Sequence, residues 1–67
     1  MFVITLNGNR SDIDETTSVT ALLDANGYAG RAVAVEINRN IVPKSAHAQH
    51  LLRDGDRVEI VEAIGGG

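Results

Sequence analysis

Apolar and polar positions alternate from the start of the chain. Phe2, Ile4 and Leu6 share one side of residues 2–7, which predicts a half-buried strand. Asn7-Gly8-Asn9 then reads as a turn, because Asn-Gly supplies the positive φ that a two-residue hairpin needs. Residues 10–15 return antiparallel with Ile13 as the inward anchor. The period changes after that. Val19, Leu22 and Leu23 recur at helical spacing behind Ser18, a good N-cap, and Gly27 stands where a left-handed residue closes a helix. A helix is predicted over 19–26.

Strict alternation resumes over 32–38, with Val33, Val35 and Ile37 on one face and Ala32, Ala34 and Glu36 on the other. Asn38-Arg39-Asn40 is a second turn, and Ile41-Val42 a short strand stopped by Pro43. Ser45 is expected to cap one helical turn through Gln49, with Leu51 and Leu52 pinning that segment to the core. Asp54-Gly55-Asp56 is a third turn. Residues 57–63 form the last strand, Val58 and Ile60 facing one way and Glu59 and Val61 the other. One helix cannot cover two sheet faces, so the expected architecture is α+β: a mixed sheet of four to five strands with one main helix on one face. A helix between the second and third strands suggests a roll of the β-grasp kind. Periodicity leaves the strand order open.

The length of 67 residues allows one domain, here residues 1–64, followed by a flexible glycine tail, 65–67. So small a core stabilises the fold by only about 3–5 kcal/mol. The absence of cysteine excludes thiol nucleophiles, Cys-based zinc sites and a disulfide scaffold. A net charge of −3 and only two aromatics, Phe2 and Tyr28, argue against nucleic acid. No apolar run approaches the roughly 20 residues of a membrane span. The expected setting is the cytoplasm, and the expected free state a monomer. A chain this short has little room to enclose a substrate, which favours a carrier, subunit or interaction module over an enzyme.

Most internal candidates for chemistry read as structure. His47 and His50 would share a helix face, but a metal site needs more ligands than they provide, and none is assigned. Asp12, Asp14 and Glu15, near Asp24, fit an edge strand whose charges deter pairing. Ser11, Ser18 and Ser45 suit caps and turns. The glycines at the end differ. Gly65, Gly66 and Gly67 carry no Cβ, so they can pass a channel too narrow for side chains. With Ile64 they reach about 13 Å when extended. The α-carboxylate of Gly67 could thus enter another protein's active site, with Gly66 and Gly65 giving access. Beside this tail, Val3, Ala34, Val61, Ala63 and Ile64 are expected to form an apolar contact area on the sheet face away from the helix. Glu36, Glu59 and Glu62 would edge it.

The segment from Ile41-Val-Pro-Lys-Ser through Asp54-Gly-Asp and Arg57-Val-Glu-Ile-Val to the terminal glycines resembles the sulfur carrier (ThiS) family of thiamin biosynthesis. The resemblance covers essentially the whole chain. It implies a ubiquitin-like β-grasp with the first and last strands adjacent and parallel. It implies a protein co-substrate, not an enzyme. A ThiF-type adenylating enzyme would use ATP and magnesium to activate the Gly67 carboxylate. Sulfur from cysteine, by way of a desulfurase persulfide, would convert it to a thiocarboxylate for thiazole synthase (ThiG). The chain itself would bind no cofactor. A position commonly tryptophan in that family is His47 here, and three glycines stand where the minimal family ending has two. Two other readings remain open at this point: the small sulfur-carrying subunit of molybdopterin synthase, and a non-covalent β-grasp interaction module.

Overall fold

The structure, a computed structural model, describes residues 1–62. Strands β1 (Phe2–Leu6) and β2 (Asn9–Ile13) precede helix α1 (Val19–Ala25). Strands β3 (Val33–Ile37) and β4 (Asn40–Val42), a 3-10 turn (Lys44–Ala46) and strand β5 (Arg57–Glu62) follow. The five strands form one mixed sheet in the order β2-β1-β5-β3-β4, with β1 and β5 parallel and every other pair antiparallel.

Local chemistry explains both hairpins. Asn7 and Gly8 take φ of 50° and 85°, and Asn38 and Arg39 take 52° and 70°. Two consecutive positive values give the turn whose twist matches the flanking strands. The first turn sets Leu6 opposite Asn9 and Ile4 opposite Ser11. The second sets Val35 opposite Val42, and so turns Ile41 outward opposite Glu36.

The helix begins where Ser18 accepts a 3.0 Å hydrogen bond from the Ala21 N–H. Its other early donors are met from a distance. The Val19 N–H donates to the His50 carbonyl at 2.9 Å, and the Thr20 N–H to the His47 carbonyl at 3.1 Å. The segment after Pro43 therefore finishes the helix N-terminus, whose first N–H groups have no partner within the helix. His47 is buried, and its Nε2 lies 3.0 Å from the Val42 carbonyl. The two histidines cap α1 through their backbone carbonyls, not their rings.

Helix α1 packs Val19, Leu22 and Leu23 against Ile4, Val35, Ile37, Val58 and Ile60 from one sheet face. Two expectations fail here. Leu52 is buried, at 1% exposure, but its neighbour Leu51 is 52% exposed. Leu51 forms an isolated bridge with Ser18, an extended arrangement that sends adjacent side chains opposite ways. Nor does Ser45 cap a helical turn. The turn starts at Pro43 with no side-chain cap, and Ser45 lies inside it.

Between β2 and α1, Asp14 accepts from the Thr16 N–H at 2.9 Å and from its hydroxyl at 2.8 Å. These bonds, the backbone one foremost, hold its pKa below the ordinary carboxylate value. A lowered folded pKa stabilises the fold above the unfolded value of about 4 and loses that contribution as pH falls through the folded value. In Asp14→Ala, the urea midpoint is expected to fall at neutral pH and to approach the parent's in acid. A constant difference across the titration would contradict this role.

Candidate functional site

The Asp-Gly-Asp turn fixes where β5 begins. Asp54 Oδ1 accepts from the Val3 N–H at 2.7 Å, and the Gly55 N–H donates to the Val3 carbonyl at 2.7 Å. Asp56, 9% exposed, accepts from Asn38 Nδ2 at 3.0 Å and from the Arg53 N–H at 2.8 Å. Asn38 in turn accepts from the Arg57 N–H through Oδ1 at 2.9 Å. One carboxylate ties the turn to β1 and the other ties it to the β3–β4 hairpin.

Strand β5 then runs along β1 only briefly, with Thr5 level with Arg57 and Leu6 with Val58. Asn7 prolongs the contact: its Oδ1 accepts from the Ile60 N–H at 2.7 Å. The last residues of β5 lie against β3, Val61 opposite Ala34 and Glu62 opposite Val33. Arg31, 5.7 Å from the Tyr28 ring centroid, pairs with Glu62. The end of β5, from which residues 63–67 continue, is thus held by β3 and by the loop before it.

The outer face of the sheet carries the expected contact residues unevenly. Val61 and Ala34 are exposed and adjacent, Val61 at 58%. Val3 is not with them. It lies level with Gly55, in the turn before β5: Val3 is two residues before Thr5, the partner of Arg57, and Val61 is four residues after Arg57, an offset along the strands of about 20 Å at ~3.3 Å per residue. The parallel register separates residues that alternation had placed on one face. Ile41, 72% exposed and opposite Glu36, joins this face, which alternation did not assign to it. The signal for it was present, since a two-residue turn at Asn38-Arg39 turns Ile41 outward if Val35 faces in. Glu36 lies opposite Glu59, which pairs with Arg57 at 2.8 Å. Ala63, Ile64, Gly65, Gly66 and Gly67 lie outside the described residues.

The remaining candidates do not converge. Asp12 pairs with Arg10 at 3.3 Å, Asp14 with Thr16, and Glu15 with the Met1 amino group at 3.2 Å. Among the described residues no three His, Asp or Glu side chains gather as a metal site. No described helix is long and apolar enough to cross a membrane.

The sequence profile of the ThiS family matches residues 4–67. The chain belongs to the ThiS family. A sulfur carrier protein ThiS from Escherichia coli is 36% identical over 50 residues, covering 75% of this chain and 76% of that one. The crystal structure of a thiamine biosynthesis protein (ThiS) from Geobacter metallireducens superposes with a TM-score of 0.82 at 36% identity. It covers 98% of this chain and 100% of its own. The fold is therefore the ubiquitin-like β-grasp of ThiS proteins. A thiazole synthase from Paramagnetospirillum magneticum is 47% identical over 64 residues, which is 96% of this chain. This chain spans about 20% of that protein, and as little of a second thiazole synthase, from Magnetococcus marinus.

Proposed function

We propose that this ThiS-family chain is a sulfur carrier whose cargo is a thiocarboxylate on the α-carboxyl group of Gly67. The observation that carries the reading is the family match, which runs through residue 67 and so includes the terminal glycines. The chemistry requires Gly67 to bear a free carboxylate. A carboxylate is a poor electrophile. Attack of its oxygen on the α-phosphorus of ATP, with magnesium bound by a ThiF-type enzyme, releases pyrophosphate and forms an acyl adenylate. The terminal sulfur of a cysteine-derived persulfide then displaces AMP, giving an acyl disulfide. A thiol on the donor cleaves the S–S bond, leaving the thiocarboxylate on Gly67 and a disulfide on the donor. Gly66 and Gly65 serve as slender access residues.

The thiocarboxylate is a soft nucleophile that holds sulfur without releasing sulfide. Thiazole synthase is the proposed recipient, because two thiazole synthases contain a segment similar to 96% of this chain. In this reading the chain is a protein co-substrate, and its partners hold the catalytic pockets. The test is intact-mass analysis after incubation with ATP, magnesium, the adenylating enzyme and the sulfur donor. The expected product is heavier by the difference between sulfur and oxygen at Gly67. A chain that never shifts with a competent partner overturns the reading.

The apolar outer face beside β5, with Val61 and Ala34 at its centre, is the proposed docking area, extended by Ala63 and Ile64 at the tail root. Val61→Asp places an unpaired charge there and is expected to weaken binding to the adenylating enzyme or thiazole synthase about tenfold or more. Val61 is largely exposed, so the cost to folding is about 1 kcal/mol or less. Unchanged affinity for both partners in calorimetric titration would remove this face from the interface.

A further inference from the structure

Asn7 has two separable roles in the fold. Its backbone, at φ 50°, takes the first position of the turn between β1 and β2. Its side chain reaches β5, where Oδ1 accepts from the Ile60 N–H at 2.7 Å in a partly buried bond. The turn requires only a positive φ, which Gly, Asn and Asp all supply. The bond requires a side-chain oxygen, which Gly lacks.

That bond stands in for a missing rung of the ladder. β1 donates to β5 from alternate residues, the Thr5 N–H to the Asp56 carbonyl at 3.0 Å and the Asn7 N–H to the Val58 carbonyl at 2.9 Å. Two residues further along β5 is Ile60. By then β1 has ended at Leu6 and the chain has turned away, so a side-chain oxygen replaces the strand carbonyl. Past Ile60 the strand pairs on its β3 side, Val61 with Ala34 and Glu62 with Val33. The sheet thus narrows at Ile60 from strands on both sides of β5 to a ribbon of β5 and β3. Two-stranded ribbons twist more than strands inside a sheet. The Arg31–Glu62 pair is exposed and restrains that twist only weakly.

We infer that Asn7 is a positioning residue for sulfur loading: by holding Ile60 it fixes the direction in which Val61, Glu62 and the tail after them leave the sheet. The inference rests on the sulfur-carrier reading, in which one partner has to seat Val61 and the Gly67 carboxylate together. Without the bond to Ile60, the end of β5 spreads over more directions, and only a fraction of chains present both features at once. Apparent affinity falls in proportion to that fraction. Once the tail is seated the partner sets its geometry, so the chemical step is unchanged. The effect therefore belongs to KM and not to kcat.

Steady-state adenylation with the full chain as the varied substrate tests this role, at a temperature where every variant is fully folded. Asn7→Gly keeps the turn and removes the oxygen. It is expected to raise KM at least threefold, the scale of one lost hydrogen bond, with kcat within twofold of the parent. Asn7→Asp keeps both turn and oxygen and is expected to restore the parent's KM. A role confined to stability would lower the melting temperature of Asn7→Gly and leave KM unmoved. A rise of less than threefold overturns the inference, as does a fall in kcat at constant KM, or an Asn7→Asp variant no better than Asn7→Gly. An Ile60 amide that exchanges with solvent in the parent as fast as in an unstructured chain overturns it without any variant. If the parent is adenylated and Asn7→Gly matches it, the carrier reading stands and the positioning role alone falls. A parent that a competent enzyme never adenylates overturns the carrier reading, and the positioning role with it.

Discussion

Replacing Gly66 with Val, or adding one residue after Gly67, is expected to abolish thiocarboxylate formation while leaving the melting temperature unchanged. The addition moves the carboxylate by one residue, about 3.3–3.6 Å along an extended chain. Displacement of a reacting atom by about 1 Å already costs on the order of 100-fold in rate. Valine acts differently: it brings a branched side chain to a position proposed to cross a narrow passage, where glycine brings none. Among the described residues the buried core ends at Ile60, six residues before Gly66. Intact mass measures the first half of the prediction and thermal unfolding the second. Conversion of either variant at the parent's rate would overturn the access role given to Gly66 and Gly65.

The largest effect on folding is expected from Asp56→Ala. Its buried carboxylate is the common acceptor for the Asn38 side chain and the Arg53 N–H, through bonds that are partly buried. Alanine leaves two donors without their partner, at a cost of about 2–3 kcal/mol. A domain of this size has about 3–5 kcal/mol to lose. The melting temperature should therefore fall by about 10–20 °C. Asp54→Ala removes one exposed bond, to the Val3 N–H, and should cost about 1 kcal/mol. Urea or thermal unfolding of the pair provides the comparison. Equal stability of the two variants would show that the Asn38–Asp56 connection contributes nothing beyond an ordinary turn.

These two predictions differ in how far the sequence anticipates them. The glycine run is contiguous, and its importance follows from the absence of side chains and from its place in the ThiS pattern. Asp54-Gly-Asp reads only as a turn. That Asp56 reaches Asn38, 18 residues earlier, depends on β5 lying next to β3. The candidate site divides in the same way. Alternation put Val61 and Ala34 on the outer face, and pairing made them neighbours. Alternation also put Val3 there, but a face is not a neighbourhood: the parallel register sets Val3 beside the turn that precedes β5, at the other end from Val61. Ile41-Val42 is too short to display a period, so the outward side of Ile41 is legible only through the two-residue turn at Asn38-Arg39.

By itself, the sequence determined whatever acts within a few residues. Asn-Gly makes the first hairpin, Ser18 starts the helix, and alternating Val33, Val35 and Ile37 choose the inward face of β3. Backbone sterics, capping and side-chain period act over one or two turns, so their marks are local. Periodicity left the strand order open; the central parallel pairing of β1 with β5, which the family resemblance implied, is present in the tertiary structure. Only the tertiary structure decided the bond from Asn7 to the Ile60 N–H and the capping of α1 by the carbonyls of His47 and His50. Such contacts join residues as many as 53 positions apart. They exist because one helix must be shared by five strands, and the order that buries a single face against it is a property of the whole sheet.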